Sequence, residues 1–221
     1  MGSANTFRIL AIVVAALILA YAPASLYSEI FATKRPPLPA DPSKVVSQKL
    51  EPSLAATISP LRADLEGDHA LALALGALRP GTTSLSAADV QKNVEGQEAV
   101  KEALKKTPYR SELWLVLALL QTQRKTDNKQ IIEVLKMSYF TAPNDAQIMP
   151  LRLYTAAHSE ALADGDLKEL ARGDIRLMLI RQAELRGAVT AAYVAGSNVG
   201  KTFIEEAVQS IDPKLASLLR K

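Results

Sequence analysis

The run of apolar residues from Ile9 to Tyr27 constrains this 221-residue chain more than any other feature, because few environments can hold it. The run is nearly unbroken, it follows the basic residue Arg8, and no later segment is as hydrophobic. A helix of about 20 apolar residues crosses the hydrocarbon core of a bilayer. Residues 1–31 are therefore predicted to be a membrane anchor or an export signal.

Two interpretations of this segment remain open. Ala22-Pro23-Ala24 places small residues where a signal peptidase cleaves, which would leave Ser25 as the new amino terminus. Apolar character continues to Phe31, which favours a retained transmembrane helix, and that is what we expect. Large carboxy-terminal domains are exported despite modest flanking charge, so we expect a single-pass inner-membrane protein with a periplasmic domain. A third interpretation, the buried core helix of a soluble protein, fits the length and terminal position of the run poorly.

A proline-rich segment follows the apolar run. It contains Lys34-Arg35-Pro36-Pro37-Leu38-Pro39, and consecutive prolines fix an extended conformation. Residues 32–42 are therefore predicted to be a stiff linker, and residues 43–221 to be one folded domain. Ala and Leu dominate the 48% hydrophobic fraction while aromatic residues are only 5%. This composition favours helices, and we predict an all-α fold.

Amphipathic segments separated by proline, glycine or Asn/Asp residues divide the domain into predicted helices. Their bounds are Ser43–Ile58, Pro60–Ala77, Ala87–Lys106, Ser111–Gln123, Asn128–Phe140, Asp145–Leu162, Asp166–Arg186, Ala188–Ala195, Val199–Ile211 and Pro213–Leu219. Ser86 with Asp89, and Asp166 with Glu169, are predicted to cap helix starts. Gly165 is predicted to end a helix through a positive φ.

Two prolines in the middle of the domain have the spacing of a helical repeat. Pro108 and Pro143 are 35 residues apart. Between them, Trp114, Leu117 and Ala118 supply an aromatic, a leucine and a small residue at helical spacing. The pattern resembles a tetratricopeptide repeat, a helix pair of about 34 residues with those residue types on its first helix. The resemblance implies an α-solenoid of stacked helical hairpins.

The resemblance extends over residues 87–162. Leu135 and Ser138 fall at the later large and small positions of the repeat, whereas Gln121 departs from the usual tyrosine. In the next repeat Arg152 occupies the position of an expected leucine. The alternative is an ordinary helical bundle in which these residues simply form the core. In either case Trp114 is predicted to stabilise the domain, and Trp114→Ala to unfold it.

The order of anchor, proline-rich linker and degenerate repeat domain resembles membrane-bound helical accessory proteins of bacterial envelope and exopolysaccharide machinery. This resemblance implies a non-enzymatic scaffold or assembly protein that binds an envelope protein, with a role in polysaccharide biosynthesis or export. A soluble periplasmic protein, released by cleavage after Ala24, is the alternative.

Charge and cysteine content exclude other classes. The net charge of +3 is spread along the chain, without the basic block that binds nucleic acid. The chain has no cysteine, so disulfides and thiolate metal sites are excluded. His69 and His158 lie on separate predicted helices, and Asp164-Gly165-Asp166 lacks the remaining ligands of a calcium loop. We therefore predict no metal site and no cofactor.

Residues 195–202, Ala-Gly-Ser-Asn-Val-Gly-Lys-Thr, match the loose form of a phosphate-binding loop. A nucleotide-dependent enzyme would use Lys201 on a terminal phosphate and Thr202 on Mg²⁺. Ala195 replaces the first glycine, however, and too little chain follows for a parallel sheet. We predict instead a junction between two helices capped by Ser197 or Asn198.

A basic stripe is predicted on the helix Asp166–Arg186. Lys168, Arg172 and Arg176 follow one another at four-residue spacing, and Arg186 returns to nearly the same angle. Such a stripe is a candidate surface for anionic headgroups or an acidic partner. It is also what the solvated face of an ordinary amphipathic helix looks like.

Overall fold

The structure, a computed structural model, describes residues 2–31, 37–38, 62–79 and 84–220. Within these ranges it contains ten α-helices, two 3₁₀ turns and no strand, which confirms the predicted all-α fold there. The helices are α1 (Gly2–Phe31), α2 (Ala63–Ala77), α3 (Ala87–Lys106), α4 (Ser111–Gln123), α5 (Asn128–Thr141), α6 (Met149–His158), α7 (Gly165–Ile180), α8 (Arg186–Ala195), α9 (Asn198–Gln209) and α10 (Pro213–Leu219). The predicted helix Ser43–Ile58 and most of the linker lie outside the described residues.

Helix α1 is the predicted apolar segment. It is 30 residues long and continues through Pro23. Its stretch Asn5–Tyr27 is long and apolar enough to cross a membrane or to act as a signal sequence, and no residue of an 18-residue apolar segment within it is buried. Most of the large apolar side chains along it, such as Leu10 and Leu19, are more than half exposed. Lipid would remove this surface from water at a gain of about 25 cal/mol per Å².

Local sequence signals set most helix ends. α3 and α4 begin and end at the predicted residues, and Ser86 Oγ accepts a hydrogen bond from the Asp89 amide at 3.2 Å. The predicted cap of α7 is wrong, because Asp164 and not Asp166 accepts the Leu167 amide, at 2.8 Å. Gly165 does not end a helix, since it is the first residue of α7 and has no positive φ.

Helices α2 to α5 form two consecutive hairpins. α2 packs on α3, α4 packs on α5, and α4 also contacts α2. Arg110, just before α4, bonds to Asp68 near the start of α2 at 2.6 Å, while Gln123 at the end of α4 donates to the carbonyl of Arg79 after α2. α2 and α4 therefore run in the same direction, and α3 returns between them.

A short chain of buried amides fixes α3 against α4. Gln97 Nε2 donates to Asn93 Oδ1 at 2.7 Å, and Asn93 Nδ2 donates to the Leu120 carbonyl at 3.1 Å. Asn93 and Gln97 are both buried. Buried polar groups are stable only when paired, so these bonds fit one alignment of the two helices.

The remaining helices continue the same core. α6 packs against α4, α7, α8 and α9, and α10 closes the end of the chain against α9. Their buried side chains join those of α2 to α5 in one hydrophobic cluster. The described part of residues 62–220 thus shares a single core.

Candidate functional site

The residues of the predicted repeat lie mainly in the core. Leu117 and Leu135 are 3% and 0% exposed, and Ala118 and Ser138 are also buried. Trp114 is only partly buried, and its indole Nε1 donates to the Pro108 carbonyl at 2.7 Å. The structure therefore assigns these residues a packing role, and the indole bond fixes the turn that precedes α4.

The residue that departs most from the repeat pattern, Arg152, forms a buried ion pair that sequence reasoning missed. Its Nε and Nη2 atoms donate to the two carboxylate oxygens of Asp174 at 2.9 and 2.8 Å. The remaining guanidinium hydrogens reach the carbonyls of Ser138, Ala142 and Pro143 at 3.2, 3.0 and 3.4 Å. One arginine thus connects α6 with α7 and with the end of α5.

An aromatic ring completes the surroundings of this pair. The Arg152 guanidinium lies 3.9 Å from the centre of the Tyr139 ring, a favourable cation–π geometry. Burial raises the pKa of Asp174 to about 6, although the charge and hydrogen bonds of Arg152 act in the opposite direction. Burial, followed by the Asp174 charge, also raises the pKa of Tyr139. The cluster is enclosed, so it connects the helices to one another and does not face a ligand.

A second ion-pair cluster lies where α2 meets α4. Arg110 bonds to Asp68 and to Glu112, each at 2.6 Å, and donates to the Asp64 carbonyl at 3.1 Å. Gly67 lies directly against the Arg110 guanidinium, so a larger residue there would displace it. This cluster too is largely buried and positions helices.

The structure keeps three members of the basic stripe together and separates the fourth. Lys168, Arg172 and Arg176 lie on α7; Arg176 is exposed, and the Arg172 guanidinium lies 5.6 Å from the Phe203 ring. The prediction that Arg186 shares this helix is wrong. α7 ends at Ile180, a 3₁₀ turn at 183–185 redirects the chain, and Arg186 begins α8.

Arg186 makes a contact of its own. Its Nη2 donates to Asp212 Oδ2 at 2.7 Å, next to the start of α10. The interaction holds α8 near the last helix, so the candidate interaction stripe is reduced to Lys168, Arg172 and Arg176. Ion pairs at this level of exposure contribute little to stability.

Residues 195–202 form the predicted junction between helices. Ser197 caps α9 by accepting from the Gly200 amide at 3.2 Å, and the Ser197 amide donates to the Ala157 carbonyl at 2.9 Å. Gly200 packs so closely on α6 that an added Cβ would lie 2.8 Å from the Ala157 Cα. The Lys201 ammonium lies 6.0 Å from the Tyr193 ring. The backbone amides of Ser197 and Gly200 thus form hydrogen bonds within the helical domain. This arrangement gives the nucleotide-binding alternative no support.

His158 and the acidic turn make structural contacts. His158 Nδ1 lies 2.9 Å from the Ala195 carbonyl, and its ring stacks on Tyr154 at 5.7 Å. Lys136 bridges Asp164 and Asp166 at 2.9 and 3.1 Å. In the part of the chain that the structure describes, no group of three His, Asp or Glu side chains could hold a metal ion. The absence of a metal or cofactor remains a prediction.

No protein family, curated protein or solved structure matches this chain. The tetratricopeptide resemblance therefore depends on the spacing of the residues described above.

Proposed function

We propose that this protein is a non-enzymatic scaffold or assembly protein of the bacterial cell envelope. Helix α1 anchors it in the inner membrane, and the helical domain binds a protein partner on the periplasmic side. The observation that carries the proposal is α1 itself, an apolar helix of membrane-spanning length with no buried central part, joined to a domain with its own core.

The domain is proposed to act as a tetratricopeptide-like stack. The parallel course of α2 and α4, with α3 returning between them, supports this arrangement, because stacked hairpins place their first helices side by side. The proposed role in polysaccharide biosynthesis or export comes from the resemblance of the overall plan. Stacked helices of this kind bind partners over extended surfaces without catalysis.

The basic face of α7 is the proposed docking surface for an acidic segment of the partner. Arg176 is exposed, and Lys168 is half-buried at the edge of the buried side of α7, which comprises Leu167, Ala171, Asp174, Ile175, Met178 and Leu179. Acidic partners are attracted to such a surface, and rim charges of this kind chiefly raise the association rate.

The test is photocrosslinking in native membranes. A photoreactive amino acid at Arg176 should capture a defined protein, whereas the same amino acid at exposed Tyr109, on the turn before α4, should not. Carbonate washing of the same membranes should leave the full-length chain in the pellet. Release by carbonate would overturn the anchor, and equal capture from both positions would overturn the docking surface.

Cleavage after Ala24 is the second candidate. Ala22-Pro23-Ala24 lies within α1, and proline interrupts the hydrogen bonding of a helix at that point. The mature protein would then be soluble in the periplasm. Mass spectrometry of the amino terminus separates the two, since a chain that begins at Ser25 has lost the anchor.

A further inference from the structure

Leu38 of the proline-rich linker packs on the helical domain. Its side chain is partly buried against the hydrophobic core that α2 to α10 share. A linker that served only as a free spacer would leave this leucine in water, whereas burying a leucine is worth about 1.5–3 kcal/mol. The linker is therefore attached to the domain well before α2 begins.

This contact shortens the connection between membrane and domain. α1 ends at Phe31, and Leu38 follows seven residues later. An extended chain covers at most about 3.3–3.6 Å per residue, so seven residues reach about 25 Å. Without the contact, Arg62 at the start of α2 would be the first attached residue among those described, 31 residues after Phe31.

We propose that Leu38 fastens the linker to the helical domain and holds that domain at the headgroup surface of the bilayer that contains α1. A domain of about 160 residues has a radius of gyration of about 15 Å, and so a diameter of about 40 Å. Because the domain is wider than the seven-residue connection is long, one of its faces stays beside the headgroups. The partner of that face is the lipid surface. This inference rests on the proposed function only in requiring that α1 remains in the membrane.

Distance measurements between two spin labels test the proposal. The chain has no cysteine, so cysteines introduced at Ile30 and Gln209, both exposed, label two known positions. The full-length protein is placed in nanodiscs of phosphatidylethanolamine and phosphatidylglycerol. Leu38→Asp opposes burial at the contact, and Leu38→Met is the matched control that keeps an apolar side chain of similar size.

We expect a broader distance distribution for Leu38→Asp than for the unaltered chain, and no change for Leu38→Met. Without the contact, the chain between α1 and the first attached residue lengthens from seven to 31 residues, so the domain can lie over a wider range of distances from α1. Equal distributions for Leu38→Asp and the unaltered chain would overturn the proposal.

A second variant covers the case in which Leu38→Asp unfolds the domain. Ten glycine and serine residues inserted after Ala32 lengthen the connection to 17 residues and leave Leu38 in place. The distribution should then broaden as well, and an unchanged width would also contradict the proposal. Failure of the protein to remain in the discs defeats the proposed membrane anchor, whereas retention with unchanged distances defeats only the inference about Leu38.

Discussion

The Arg152 guanidinium and the Asp174 carboxylate are joined by two parallel hydrogen bonds in the middle of the core, at 2.9 and 2.8 Å. The two side chains are 0% and 1% exposed. Their attraction has to offset the cost of removing both charges from water, so the pair is weak as a source of stability. Removing one member, however, leaves the other charge buried without its partner.

Asp174→Ala should lower the free energy of unfolding by about 3–5 kcal/mol, because Arg152 stays buried and unpaired. The double variant Arg152→Met, Asp174→Leu should recover most of that loss, since apolar side chains of similar size need no pairing. Urea unfolding followed by the fluorescence of Trp114, the single tryptophan, measures both. A double variant as unstable as Asp174→Ala would contradict this account.

The stability of the protein should depend on pH through Asp174. Its pKa is raised by burial to about 6 in the folded protein, against an ordinary value of 3.8. Well below pH 3.8 the carboxyl group is protonated in both the folded and the unfolded state, and its contribution to stability is fully present. As the pH rises from about 4 through 6 that contribution is lost, by roughly 3 kcal/mol in total.

Asp174→Asn is the control for this pH dependence. The amide cannot ionise, so the difference in unfolding free energy between Asp174→Asn and the unaltered protein should change between pH 4 and 7.5. The contribution of Asp164 to stability has the opposite pH dependence. The hydrogen bond from the Leu167 amide lowers the pKa of Asp164, so its contribution is lost as the pH falls. Such groups are present in both proteins, so their contributions cancel in the difference between the two unfolding free energies. Parallel plots of unfolding free energy against pH for the two proteins would refute the role of Asp174.

Gly200→Ala should destabilise the domain by about 1–3 kcal/mol, because the added methyl group meets the backbone of α6 at Ala157. Gly173→Ala is the matched control. Gly173 is exposed on α7 with no atom near an added Cβ, and alanine should there stabilise the helix by up to about 1 kcal/mol. The melting temperatures of both variants test this prediction. Equal shifts in melting temperature would show that helix propensity alone determines the effect of either substitution.

Trp114→Ala should destabilise the domain by about 3 kcal/mol and not unfold it outright. The indole is only partly buried, so less is lost than for a tryptophan enclosed in the core. Trp114→Phe keeps an aromatic side chain but loses the hydrogen bond from the indole to the Pro108 carbonyl, and should lower the free energy of unfolding by about 1 kcal/mol. Tyr109→Ala, at a residue 70% exposed, should change little. Circular dichroism in urea ranks the three, and an unaffected Trp114→Ala protein would count against the repeat interpretation.

Lys168→Glu with Arg176→Glu should reduce the yield of crosslinked partner in membranes, because both reverse the charge of the proposed docking face. Arg186→Gln should leave that yield unchanged, since Arg186 lies on α8 and bonds to Asp212. Quantitative immunoblotting of the crosslinked band provides the comparison. Equal losses from Arg186→Gln would show that the effect is not specific to α7.

Local signals made the helices predictable. Proline, and serine or aspartate at cap positions, act within one turn, and α3 and α10 have the predicted bounds for this reason. The end of α7 was not predicted because Arg181 and Gln182 carry neither glycine nor proline. The helix nevertheless ends at Ile180, and the 3₁₀ turn at 183–185 removes Arg186 from the stripe.

The buried contacts could not be predicted from the sequence alone. Arg152 and Asp174 are 22 residues apart on different helices, and no periodicity links them. The one available signal was an arginine at a position where leucine was expected, between Leu151 and Leu153. Gly200 likewise looks like part of a phosphate-binding loop until α6 is placed against it.

The amides of Asn93 and Gln97 have a consequence for how the hairpins assemble. Helices faced with alanine and leucine can slide past one another by a turn, about 5.4 Å, and still bury similar apolar area. Such a slip would separate Asn93 from the Leu120 carbonyl and leave buried amide groups unpaired, at about 1–3 kcal/mol for each. Two short polar side chains thereby select one register of α3 on α4 during folding, whereas apolar surfaces alone would allow several registers of similar energy.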